Sequence, residues 1–215
     1  MTRRIVWLLA FAVAMAYVES AVVVYLREIY YPGGFDFPIV IIPNRMAAIE
    51  VGREAATILM LLGVAMVAGS GGWERFLYFC LTFAVWDLLY YAWLRLFIGW
   101  PPSLLTWDVL FLIPVPWLGP VLAPALVSLA MIAASSCLLS LKGRGAVLGL
   151  SPGLWMLAIA GGLVVILSFT LDFRVVLDGR PPPPFRWGIF AIGMAMGIAA
   201  VATGTRRILS SMRTS

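Results

Sequence analysis

Six apolar stretches, each long enough to cross a lipid bilayer, recur along a chain of 215 residues. They cover residues 5–26, 46–68, 75–98, 121–141, 152–171 and 187–205. A helix needs roughly 20 apolar residues to span a hydrocarbon core of about 30 Å. Inside that core every backbone amide and carbonyl must find a partner within the protein, and a helix supplies one from its own ladder. The chain is 63% hydrophobic and 12% charged, whereas soluble domains carry about 25% charge. The expected fold is therefore all-α, a polytopic transmembrane helix bundle forming one membrane domain over residues 1–215.

The first stretch also resembles a signal peptide, with Arg3 and Arg4 ahead of it and Ala14-Met15-Ala16 as a small-x-small site. Its apolar character resumes after Glu19 and Ser20 as AVVVYL, which favours a retained helix. Between the first two spans, prolines 32, 38 and 43 break the chain near Tyr30, Tyr31, Phe35 and Phe37, as in an aromatic interfacial belt. Residues 103–113 are apolar but too short to span; they contain Trp107, lie between Trp100 and Trp117, and sit among five prolines. They are expected to form a short outer interfacial or re-entrant helix with Ser103 as N-cap. Prolines 181–184 read as a stiff polyproline spacer.

Net charge is +5, yet the cations flank apolar stretches rather than forming a nucleic-acid-binding face. Arg3, Arg4, Arg75, Lys142, Arg144, Arg206, Arg207 and Arg213 fall on one side, which places both termini in the cytoplasm of an inner (plasma) membrane protein. Cys80 and Cys137 read as small buried hydrophobes, and no CxxC is present. Histidine is absent, which removes His-ligated haem and Ser-His-Asp chemistry. No organic cofactor is signalled. Gly193 with Gly197, Ala65 with Gly69, and Ala158 with Gly162 are small-xxx-small pairs that let helix backbones approach.

Charge inside the apolar stretches is the functional signal. A charged side chain at a helix centre costs about 2.5–3.5 kcal/mol even on the mild insertion scale, so such groups require partners, water or a task. The second stretch carries Glu50, Arg53 and Glu54; the first carries Glu19 and Arg27; the third carries Asp87 and Arg95. At about 1.5 Å rise per residue these seven converge in the outer half of the bundle. Asp108, Tyr90 and Tyr91 are secondary candidates for the same place. Glu19 to Arg27 and Asp87 to Arg95 are both eight residues apart, with Phe11 and Phe79 each eight residues before the acid. That match suggests duplicated two-helix hairpins.

The bland alternative is that these pairs fix helix register. Against it stands the excess of acids, four facing three arginines. Three functions fit such a cluster. The first is passage of protons, cations or a small polar solute, with Glu54 and Asp87 exchanging and Arg53 and Arg95 as counter-charges. The second is a membrane enzyme whose Glu19, Glu50, Glu54 and Asp87 hold a divalent cation. The third is a non-catalytic subunit or receptor docking through its aromatic outer segment. Beyond the bilayer itself, membrane-protein partners or a homo-oligomer are the expected associations.

Overall fold

The computed structural model describes residues 2–40 and 43–214. Six of its helices are long and apolar enough to cross a membrane, an architecture compatible with a multi-pass integral membrane protein. In order they are α1 (Thr2–Tyr30), α2 (Asn44–Ala68), α3 (Gly72–Ile98), α4 (Leu122–Gly143), α5 (Pro152–Thr170) and α7 (Trp187–Thr214). A five-residue helix, α6 (Phe173–Leu177), lies between the last two.

The helix α3 is the centre, touching α1, α2 and α4, while α5 and α7 pack on one another and meet the rest through α4, the hairpin described below and the stacking of Trp155 on Trp73 of α3. Side chains such as Val67, Leu96 and Leu163 face outward on the bundle surface, as a lipid-facing exterior requires. Close approach of α5 to α7 depends on glycine. A Cβ on Gly193 would lie 2.8 Å from the Gly161 carbonyl, and one on Gly161 would lie 2.9 Å from the Gly197 amide. The seam therefore uses Gly161, one position from the expected Ala158–Gly162 pair; Gly162 has open space around it.

The loop joining α2 to α3 is a polar node. The Gly69 carbonyl accepts from Arg75 Nε at 3.1 Å, and Glu74 accepts from the amide and hydroxyl of Ser70. Lys142 of α4 reaches Glu74 at 3.2 Å, and Arg4 of α1 donates to the Ala68 carbonyl at 3.3 Å. Three residues that flank spans in the sequence thus fasten four helices together at this end.

Four sequence expectations give way here. Residues 103–113 contain a strand rather than a helix: β1 (Trp107–Phe111) pairs antiparallel with β2 (Trp117–Pro120), Asp108 opposite Gly119. The run is too short to nucleate a stable helix. It is rich in β-favouring Trp, Val and Phe, and Pro114 and Pro116 leave only a turn between the strands. Asp108 points inward at 2% exposure while its neighbours Trp107 and Val109 are only half-buried. Ser103, expected as an N-cap, instead accepts the Leu105 amide at 3.1 Å in a tight turn. Cys137 is exposed on α4 rather than buried. The last helix also continues past residue 205 to Thr214, because Arg206, Arg207 and Arg213 are good helix formers that suit its C-terminal end.

Candidate functional site

The buried residues of α2 are Glu50, Glu54, Thr57, Leu61 and Ala65, spaced four, three, four and four apart, so they form one stripe. Its first half is polar and its second half apolar. On α1 the buried set Leu8, Ala12, Ala16, Glu19, Ser20 and Arg27 likewise changes from apolar to polar and charged along the helix. Ser20 locks α1 to α3 by donating to the Tyr90 carbonyl at 3.0 Å. The polar halves of these stripes meet around a cavity of about 210 Å³.

Arg53 is the hub on one wall. Its Nε lies 2.8 Å from Glu50 Oε2, one turn back on the same helix, and its Nη1 forms an ion pair with Glu19 of α1. The other oxygen of Glu19 accepts from the Thr57 hydroxyl at 2.9 Å. Glu54 has a different partner: its Oε2 accepts the Leu112 backbone amide at 2.8 Å. Asp87 accepts from the Ser128 hydroxyl of α4 at 2.8 Å. Neither Glu54 nor Asp87 has a guanidinium within ion-pair distance among the described residues.

The opposite wall is roofed by the hairpin. Arg27 Nη2 lies 3.2 Å from Asp108 Oδ1, and the two side chains are 9% and 3% exposed. The Arg27 guanidinium is clasped between aromatic faces, 3.6 Å from the Trp100 ring centroid and 4.4 Å from that of Phe35. Burial pushes the Asp108 pKa up to about 6, against the opposing pull of Arg27, the Val109 amide and the Tyr91 hydroxyl. Although Tyr91 interacts with this carboxyl, Asp108 Oδ2 has no partner in hydrogen-bonding geometry among the described residues. Arg27 Nη1 and Trp86 Nε1 are likewise buried and unpartnered. All three of these residues line the cavity. Buried polar atoms left unpaired in one place call for a guest or ordered water.

Of the ten residues singled out from the sequence, nine line this cavity: Glu19, Glu50, Glu54, Arg27 and Arg53, with Asp87, Asp108, Tyr90 and Tyr91. Arg95 does not join them. It is exposed on α3 and donates to the Gly99 carbonyl and, at 3.0 Å, to the Pro101 carbonyl, closing the end of its own helix. The matched spacings on α1 and α3 consequently serve different purposes, since Arg27 pairs across to the hairpin and Arg95 caps. Among the described residues no three acids, cysteines or histidines gather to hold a metal ion.

Thr57 and Ser128 were not singled out in the sequence, and Phe35 and Trp100 were read there only as interfacial aromatics. Thr57 was detectable, three residues past Glu54 on the same face. Ser128 carried no signal, because a lone serine in a small-residue helix looks like packing.

No protein family, curated protein or solved structure matches this chain.

Proposed function

We propose that this membrane protein carries a cation, a proton or a small polar solute by way of the cavity between α1, α2, α3 and the hairpin. The observation that supports this reading is an imbalance of charge. Five carboxyls, Glu19, Glu50, Glu54, Asp87 and Asp108, line one space with only two guanidiniums, Arg27 and Arg53. If the cluster served only to hold helices in register, charges would be expected to balance, since an unpaired buried ion is costly. Here Arg53 serves Glu19 and Glu50, and Arg27 serves Asp108. That leaves Glu54 and Asp87, on different helices, as acids hydrogen-bonded by neutral donors and outside ion-pair distance of either guanidinium. Intramembrane carboxyls without a fixed counter-ion are suited to exchange a proton or meet an incoming cation.

Arg27, Asp108 and the Leu112 amide give the cavity a roof with polar anchors at Arg27 and Glu54, beside the packing of Phe111 on Phe83 and Trp86. Opening on that side requires these contacts to break, which makes the hairpin the gate of this scheme. With the cation-flanked ends of the spans in the cytoplasm, the gate faces outward.

The test is flux into proteoliposomes. Glu54→Gln and Asp87→Asn keep a hydrogen-bonding oxygen for Leu112 and Ser128 while removing the charge. The reading expects each to depress proton or cation flux, and the pair to abolish it. Undiminished flux in the double variant removes the reading.

A further inference from the structure

We infer that the guest of this cavity is a small organic ammonium, a positively charged amine on a short apolar body, rather than a bare inorganic cation. This deepens the carriage reading and rests on the same cavity.

Three observations lead there. The first is the sign of the charge, with five carboxyls to two guanidiniums around the space. The second is how the acids are distributed. No three of them gather to ligate one metal ion among the described residues, and a hard cation needs several oxygens close together to replace its water. Glu54 and Asp87 stand on separate helices, bonded to the hairpin backbone and to α4. An ammonium carries several N–H donors and can satisfy separated acceptors without a complete coordination shell. Asp108 Oδ2 adds a third acceptor, an oxygen without a hydrogen-bond donor among the described residues, on a residue 2% exposed.

The third observation is the wall between the acids. Trp86, Tyr90, Tyr91 and Phe111 line the cavity, and aromatic faces attract ammonium groups, most strongly where water is excluded. The protein already holds one organic cation this way. Arg27 sits between Phe35 and Trp100 with Asp108 at its edge, and the empty space beside it offers the same combination of carboxyl and ring. Size agrees: a cavity of about 150 Å³ holds benzene, so one of about 210 Å³ takes an amine with a short hydrocarbon chain.

The ammonium chemistry is shared by free amines and by the ethanolammonium headgroup of an aminophospholipid. The experiment separates them. The full chain is placed in nanodiscs of phosphatidylglycerol alone, and thermal unfolding is followed while ethylammonium or 1,4-diaminobutane is added. Sodium, potassium and magnesium chlorides at matched ionic strength are the comparison.

The inference expects both amines to raise Tm in a saturable manner and the inorganic cations not to. Asp87→Asn or Glu54→Gln should weaken amine affinity by about tenfold or more. Repeating the titration with phosphatidylethanolamine in the discs identifies the source. A blunted amine response assigns the site to the headgroup, and an unchanged one assigns it to a free amine. Inorganic cations that match the amines overturn the inference, as does an amine response that survives in both variants. The selectivity series on the unmodified protein decides the matter even if a variant fails to fold. Proton or sodium flux that needs Glu54 and Asp87, without any amine binding, sinks this inference and leaves the carriage reading standing. Amine binding with flux indifferent to both acids does the reverse.

Discussion

Arg27 on α1 holds Asp108 on β1 at 3.2 Å across 81 residues of chain, and the pair is the principal tie between the first helix and the hairpin that covers the cavity. Its strength comes from three sources: the ion pair, the Trp100 face and the Phe35 face. Arg27→Lys keeps the charge but loses the flat guanidinium that fits between two rings. We expect a loss of about 0.5–2 kcal/mol of unfolding free energy, with a change in Trp100 emission. Unchanged stability and fluorescence would mean the rings contribute only packing.

Arg53 is shared by two acids, which makes its removal costly. Arg53→Gln leaves Glu19 and Glu50 buried without a cation, and the expected destabilisation is about 3–5 kcal/mol. Combining it with Glu19→Gln and Glu50→Gln should recover at least half of that loss, because the penalty belongs to uncompensated charge. Strictly additive losses across the triple variant would contradict the shared pairing.

The pH dependence of Asp108 has a definite sign. Its folded pKa of about 6 stands above the ordinary 3.8, so the fold binds this proton more tightly than the unfolded chain does. Its contribution to stability is therefore complete below about pH 4 and is lost as pH rises to about 6. Subtracting the unfolding curve of Asp108→Asn from that of the unmodified protein isolates this group. The difference should fall with rising pH over that window and be flat above it. A difference that rises with pH would show that Arg27 outweighs burial.

The seam between α5 and α7 gives a contrast one residue wide. A side chain at Gly193 meets the Gly161 carbonyl and Val165 at 2.8 Å, whereas Gly162 faces open space. Gly193→Val should force the helices apart at a cost of about 1–3 kcal/mol. Gly162→Ala should be neutral or slightly stabilising in thermal unfolding, as helix propensity favours alanine. Equal effects from the two would place the seam elsewhere.

The helices were legible because their lengths are dictated by the bilayer, and the convergence of charge was legible because the rise of about 1.5 Å per residue sets the depth of each charge along its span. Glu50 and Glu54 could be assigned to one face from spacing alone. The hairpin was not, since Trp107 to Phe111 is equally apolar as helix or strand and only its pairing with Trp117 to Pro120 decides. Arg95 misled for a related reason. Its spacing from Asp87 copies that of Arg27 from Glu19, but an arginine in the last turn of a helix has carbonyls within reach and needs no distant partner. Ser128 was silent because its role is defined only by Asp87 opposite.

Every residue lining the cavity lies between Glu19 and Leu112, and α5 and α7 contribute none. Their hold on the remainder passes through α4, through Trp155 of α5 stacked on Trp73 of α3, and through an aromatic seam in which a Cβ on Gly119 of β2 would lie 2.9 Å from the Phe169 ring. The chain is thus divisible at residues 144–151, with every ionisable group of the pocket, and Ser128 as well, on the leading fragment. Co-expressed fragments are expected to reassemble along these contacts, with the trailing one as a buttress against α3, α4 and the hairpin.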